Sequence, residues 1–157
     1  MRCRAMALGL HSEDLQASWV DAYGHLNEGY YLVVFSNATW ALQDHFGVGP
    51  AYTTVSGKAL YTAESHIRYL REVRAPARLE VVSYLFDFDP KKLHLGHVLV
   101  VDGQERATVE CVLIHIDTVT GKSCPFSDEH MQAFAQAVEE KPSWSGSRVS
   151  IRRAQNS

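Results

Sequence analysis

The sequence predicts an α+β domain in which a curved antiparallel sheet wraps one long central helix. Three observations predict it: one long segment of helical periodicity, four period-two runs after residue 57, and hairpin chemistry between those runs. At 157 residues a single domain buries roughly 70% of the surface its unfolded chain exposes. Neither metal nor disulfide is needed to hold such a chain together.

Asp14 to Val20 reads as a short first strand. It ends at Asp21-Ala22-Tyr23-Gly24-His25-Leu26-Asn27, too polar and glycine-containing to continue it. From Glu28 to about Phe46 the apolar residues Tyr31, Val34, Phe35, Ala38, Leu42 and Phe46 recur at three- and four-residue steps. Tyr30, Leu32, Val33, Trp40 and Ala41 widen that stripe almost all the way round, which predicts a centrally buried helix. Asn27 is a good N-cap, Glu28 suits the first turn, and Gly47 with Gly49-Pro50 stops the helix. A loop runs through Gly57. Strands are predicted at Lys58 to Val73, Arg78 to Phe88, Lys92 to Val101 and Arg106 to Thr118. Asp89-Pro90-Lys91 and Asp102-Gly103-Gln104 are short turn sequences, so this part of the sheet should be antiparallel. A second helix follows Pro125, from about Asp128 to Glu139. One domain over residues 1–140 results, and residues 141–157, rich in Ser and Arg and poor in large apolar side chains, read as a flexible C-terminal tail.

The formal net charge of −3 argues against a nucleic-acid partner, which selects for a clustered basic surface. Cys3, Cys111 and Cys124 are an odd set without C-x-x-C spacing and read as free thiols in a reducing compartment. The apolar patch Ala5 to Leu10 falls short of a signal-peptide core, and no apolar run approaches the ~18 residues of a membrane span. A cytoplasmic protein with no membrane partner is the expectation.

The densest polarity lies between Asp21 and Tyr31, where a carboxylate, an imidazole and a carboxamide share a tight turn leading into the helix. A helix N-terminus offers unpaired N–H groups and the positive end of the macrodipole, so a carbonyl docked there is polarised and a developing oxyanion is stabilised. The same residues also suit a structural role, with Asn27 capping, Gly24 turning, and Asp21 and His25 satisfying loop backbone groups. The residues alone leave both readings open.

Asp21-x-x-Gly24-His25-x-Asn27 followed by Tyr31 resembles the active-site signature of the 4-hydroxybenzoyl-CoA thioesterase class of the hotdog fold. The stretch Leu60 to Val73 resembles that family's second strand, and the likeness spans about Asp14 to Phe126. Within the class, Trp19-Val20-Asp21, Tyr30 to Ala38, Tyr69 to Val73 and Lys91 to Leu95 are most similar to betainyl-CoA thioesterases of bacterial carnitine breakdown, which release glycine betaine and CoA. The resemblance implies Asp21 as nucleophile or general base, with Gly24, His25, Asn27 and the backbone N–H near Glu28 completing the catalytic group. A thioester needs no Ser-His-Asp triad, because the CoA thiol, with a pKa near ~8.5, leaves as thiolate with little proton help.

A trimethylammonium acyl group favours an aromatic box, each cation–π contact contributing about 0.5 to 2 kcal/mol. Tyr30, Tyr31, Phe35, Trp40, Tyr61 and Tyr69 are candidates for it, with Glu64 as counter-charge. Arg68, Arg71, Lys91 and Lys92 are candidates for the CoA phosphates. The resemblance further implies a homodimer, or a dimer of dimers, with each site in the seam between protomers. It implies no cofactor, and the eight His residues include no metal-type spacing: His94 and His97, three apart on a predicted strand, should point to opposite faces. Other readings are an aryl- or medium-chain acyl-CoA thioesterase, a non-catalytic acyl-CoA-binding module, and a hotdog hydratase. The last sets Asp and His five apart near a Pro, whereas Asp21 and His25 are four apart with none between.

Overall fold

The computed structural model describes residues 7–146. The elements run β1 (Leu8–Asp14), a 3-10 turn (Ala17–Trp19), α1 (Glu28–His45), α2 (Pro50–Ser56), β2 (Lys58–Tyr69), β3 (Arg78–Asp89), β4 (Lys92–Val101), β5 (Gln104–Asp117) and α3 (Asp128–Ala137). One five-stranded sheet has the order β1-β3-β4-β5-β2, with every neighbouring pair antiparallel. This is the sheet-around-helix architecture that periodicity predicts.

Side-chain alternation along the strands decides what the sheet wraps. On β3, β4 and β5 the odd-numbered residues Leu79, Val81, Leu85, Leu93, Leu95, Leu99, Ala107, Val109 and Leu113 are buried in one cluster with Tyr31, Val34, Phe35, Ala38 and Leu42 of α1. Each fully buried Leu, Val or Phe contributes about 1.5–3 kcal/mol, so this seam is the main source of stability. Asn27 caps α1 as expected, its Oδ1 accepting from Gly29 N–H at 3.1 Å, and Gly47 (φ 69°) follows the helix end.

Four differences from the sequence reading have identifiable causes. The first strand is Leu8–Asp14, earlier than expected: Trp19 N–H and Val20 N–H bond locally to Gln16 O and Ala17 O, which takes residues 17–20 out of the ladder. The loop before Gly57 contains α2, started by Pro50 and ended by Gly57 in the left-handed region. Tyr52 holds α2 down through its hydroxyl, 2.9 Å from His115 Nε2, so tertiary contact overrides the β-preference of Thr53, Thr54 and Val55. Helix α1 is not covered all round: Leu32, Val33 and Trp40 are exposed beside β2. Order also continues past residue 140. Glu139 N–H bonds Leu85 O, Trp144 packs edge-on against Phe86 over Gly96, and Ser145 Oγ and Gly146 N–H donate to Glu110 at 2.9 and 2.7 Å. A Cβ on Gly96 would lie 2.3 Å from the Phe86 ring, so glycine is required for that approach. Residues 147–157, like Cys3, lie outside the described residues.

His94 and His97 do point to opposite faces. On the outer face His94 Nε2 lies 3.0 Å from Glu110 Oε2. Burial raises the Glu110 carboxyl, but hydrogen bonds from His94, Ser145 and Gly146 outweigh it and leave the group below its usual range. His97 faces the core, completely buried, with Nε2 at 2.9 Å from Thr39 Oγ1 and Nδ1 at 2.8 Å from Ser83 Oγ. Thr39 donates its own hydroxyl proton to Phe35 O, so Nε2–H donates to Thr39 and Nδ1 accepts from Ser83. That arrangement needs the neutral ring, and burial brings its pKa down to about 3.

The unfolded chain therefore takes up a proton at His97 near pH 6.5 that the folded chain refuses until about pH 3, so acid destabilises the fold across that window. Urea unfolding should lose about 2 kcal/mol between pH 6.5 and 4.5 through this group. His97→Gln should unfold more easily at pH 7 and show a shallower slope over the same interval. Parallel slopes for the two proteins would refute the assignment.

Candidate active site

The turn after Trp19 is anchored at both ends by backbone bonds. Asp21 N–H donates to His25 O at 2.9 Å, Gly24 N–H to Asp21 O at 3.0 Å, and Asn27 N–H to Trp19 O at 2.9 Å. Leu26 N–H donates to Val73 O at 2.8 Å and His25 bridges Arg74, which ties the turn to the chain leaving β2. Gly24 sits at φ 80°, where a side chain would cost roughly 1–2 kcal/mol.

Within this frame Asp21 Oδ1 accepts from Tyr23 N–H at 2.9 Å and His25 N–H at 3.3 Å. Two amide donors on one oxygen set the carboxylate's rotation, and Oδ2 has no hydrogen-bond partner among the described residues. At the head of α1 Gly29 N–H is spent on the Asn27 cap and Tyr30 N–H on Asn27 O. Glu28 N–H has no partner among the described residues. The residues that carry this carboxylate oxygen and this uncommitted amide line one space, a cavity of about 510 Å³ bordered by Asp21, His25, Leu26, Asn27, Glu28, Tyr31, Tyr69, Leu70, Arg71 and Glu72. An acyl carbon between them would meet a nucleophile or base on one side and an oxyanion donor on the other.

The structure thus brings Asp21, His25, Asn27, Glu28, Tyr31 and Arg71 together around this cavity, with Gly24 shaping the turn beneath it. It sets the other candidates elsewhere in the protomer. Phe35, Trp40 and Tyr61 line a second, mainly apolar groove of about 720 Å³ between α1 and β2, and Glu64 lies on the exposed part of β2 in neither space. Tyr30 stacks on Trp19 with centroids 5.7 Å apart. Arg68 is half-buried on β2. Lys91 and Lys92 occupy the β3–β4 turn, Lys92 3.9 Å from Asp89. Lys92 pairs with Ile114, whereas the cavity end of β5 is Ala107 opposite Tyr69, about 23 Å away along the strand.

Tyr69, a candidate for the aromatic box, also lines this cavity, as does Glu72, to which sequence reasoning assigned no role. Glu72 lies 3.0 Å from His25 Nε2, without forming a hydrogen bond to it, and 2.9 Å from Arg74 Nε, to which it is bonded. Tyr69 donates its hydroxyl to Glu28 O at 3.2 Å, and its ring meets Tyr31 edge to face with centroids 5.1 Å apart. Burial, then the neighbouring Tyr69 phenol, raises Tyr31 above its ordinary value; burial, then the Glu28 carboxylate, raises Tyr69. Both phenols are neutral at physiological pH. The sequence sets Glu72 inside the predicted strand Lys58 to Val73 and inside the Tyr69 to Val73 stretch of the resemblance, and assigns it no role; the structure ends β2 at Tyr69 and leaves Glu72 beyond it.

Comparison with known proteins places this geometry in a family. Residues 15–134 match the profile of the Thioesterase-like superfamily. The chain is 40% identical over 129 residues to the betainyl-CoA thioesterase of Pseudomonas aeruginosa, covering 79% of this chain and 81% of that protein. It is 41% identical over 138 residues to the L-carnitine dehydrogenase/betainyl-CoA thioesterase of Agrobacterium fabrum, covering 86% of this chain but 28% of that longer protein. A crystal structure from Pseudomonas putida KT2440 superposes with a TM-score of 0.81 at 30% identity, over 94% of this chain and 99% of the other. A Staphylococcus aureus protein solved in complex with CoA superposes with a TM-score of 0.82 over 90% of this chain and 94% of that one, and at 22% identity shares the fold alone.

Proposed function

The chain belongs to the thioesterase-like superfamily and its reaction is acyl-CoA thioester hydrolysis; we propose that the thioester is betainyl-CoA, cleaved by Asp21 at the head of α1. The observation that carries this reading is that Asp21, whose Oδ2 has no hydrogen-bond partner among the described residues, and Glu28, whose N–H is uncommitted, line one cavity. Either Oδ2 attacks the acyl carbon, giving a mixed anhydride that water opens, or it takes a proton from the attacking water. Both roles use the same oxygen in the same place. The carbonyl oxygen becomes an oxyanion held by Glu28 N–H and the helix dipole, the C–S bond breaks, and the CoA thiolate departs. The identity to the Pseudomonas aeruginosa betainyl-CoA thioesterase supports the choice of acyl group.

The protomer leaves one side of this machinery open, which supports a homodimer. Strand β2 pairs with β5 along one edge, and no strand covers its other edge among the described residues. Beside that 12-residue edge Leu32, Trp40 and Tyr61 are 46%, 48% and 54% exposed around the apolar groove. A long open edge next to apolar surface invites pairing, and a second copy joined through β2 continues the sheet and buries both. CoA is bound from the cavity mouth, with Arg71 as the cation nearest the site. The protein acts in the cytoplasm, where acyl-CoA substrates are made and free thiols persist.

Asp21→Asn should lower kcat at least ~100-fold while circular dichroism and melting stay close to the parent, since the two amide bonds to Oδ1 survive. Near-normal turnover in the folded variant would refute the role of Asp21. Wild-type protein should hydrolyse betainyl-CoA at least tenfold more efficiently than octanoyl-CoA or 4-hydroxybenzoyl-CoA, measured by thiol release. Equal efficiency on all three would remove the betainyl assignment and leave the thioesterase. Light scattering on a sizing column should give the mass of a dimer or a multiple of it, and Leu32→Asp with Trp40→Asp should shift that mass to the monomer. A wild-type monomer at micromolar concentration would disprove the β2 interface.

A further inference from the structure

In a betainyl thioester one methylene joins the quaternary nitrogen to the acyl carbon, so the two lie only about 2.5 Å apart at ordinary bond lengths. Whatever recognises the cation must therefore touch the space beside the carbonyl site at the head of α1. That condition sorts the aromatic residues. Trp40 is about 13 Å further along α1 than Tyr31, and Tyr61 is about 26 Å along β2 from Tyr69, so within the protomer neither reaches. Tyr31 and Tyr69 line the carbonyl's own cavity, and their rings, 86° apart, form a corner with two aromatic walls.

Among the residues lining the cavity, Asp21, Glu28 and Glu72 stand against one guanidinium, Arg71, while Arg106, bonded through Nη1 to Glu72 O, acts on Tyr31 from outside the lining. Glu72 has its two oxygens beside His25 and Arg74, whereas the Glu28 carboxylate forms no ion pair among the described residues and lies close enough to raise the Tyr69 phenol. Tyr69 is tethered to the backbone carbonyl of Glu28, which keeps its ring beside the residue that carries the carboxylate.

We infer that Tyr31 and Tyr69, with the Glu28 carboxylate as counter-charge, form the seat for the trimethylammonium group, and that Tyr69 and Glu28 set the preference for a cationic over a neutral acyl group. The inference rests on the betainyl reading above and replaces Trp40, Tyr61 and Glu64 of the same protomer as the recognition set. Glu28 then has two separable duties: its backbone N–H meets the oxyanion, and its side chain meets the cation.

The test compares betainyl-CoA with 3,3-dimethylbutanoyl-CoA, in which carbon replaces the quaternary nitrogen at equal shape. The ratio of their kcat/KM values should exceed ten for the wild type. It should fall at least tenfold in Tyr69→Leu, about 1.4 kcal/mol, and at least threefold in Glu28→Gln, while Tyr69→Phe keeps the ring and most of the ratio. Tyr69 is half exposed and Glu28 is exposed, so neither change opens the core. A high wild-type ratio that persists in both Tyr69→Leu and Glu28→Gln overturns the seat and leaves the betainyl assignment standing. A wild-type ratio near one overturns both.

Discussion

The site depends on one constraint, the backbone clamp between the Asp21–Asn27 turn and the chain leaving β2. Leu26 N–H to Val73 O joins two segments that are far apart in sequence, and the His25–Arg74 bridge and the Glu72–His25 contact reinforce it on the same side. Through this clamp the start of α1 is positioned relative to the sheet's edge rather than by the helix alone. The buried seam of α1 against β3, β4 and β5 fixes the helix as a rod, but a rod packed through Val34, Ala38 and Leu42 still leaves its end free to fray. Asn27 stops the fraying and the clamp aims the result. Asp21 is then oriented by amides of its own turn, so the carboxylate and the helix amide move as one body.

The parts of this that were legible in the sequence are local ones. Asn27, Glu28 and Gly47 marked α1 almost to the residue because capping chemistry acts within one turn. β4 was legible because turn residues flank it, Asp89-Pro90-Lys91 before and Asp102-Gly103-Gln104 after. β1 was placed too late because the strand signal in Leu8–Asp14 is diluted by His11, Ser12 and Glu13, while Trp19 and Val20 look like strand but bond locally. α2 and the 138–146 segment depend on partners far away in the chain, His115 for one and Leu85, Phe86 and Glu110 for the other, and no local pattern encodes them. The site divides the same way. Asp21, Gly24, His25 and Asn27 form one contiguous motif, whereas Tyr69 and Glu72 join it only once β2 has been laid alongside.

The apolar residues that make α1 look buried all round carry a second message. Leu32, Val33 and Trp40 are left exposed by the sheet, and Leu32 and Trp40 line the groove beside β2. Periodicity reports how much of a helix is apolar and cannot report which molecule covers it. An excess of apolar surface on a helix beside an unpaired edge is the surface that the proposed β2 dimer would bury, and the large groove that carries it is a separate space from the cavity at the head of α1.

The oxyanion equipment visible in the protomer is sparse, one uncommitted amide and a helix dipole, and the chemistry of a betainyl thioester accounts for that economy. A permanent positive charge about 2.5 Å from the acyl carbon withdraws electrons from it and attracts the oxyanion as it forms, so the substrate itself supplies stabilisation that a neutral acyl group would require from the protein. The same charge draws the Asp21 carboxylate towards the carbon it must attack or hydrate. A long apolar chain brings neither effect, and would have to lie among Asp21, Glu28 and Glu72 at a desolvation cost with no compensating charge. With the trimethylammonium group on the proposed Tyr31–Tyr69 seat, discrimination would act in the transition state as well as in binding, because the charge that fits that corner also lowers the barrier. A cavity with few donors and an acidic rim would then favour an acyl group that carries its own cation over one that does not.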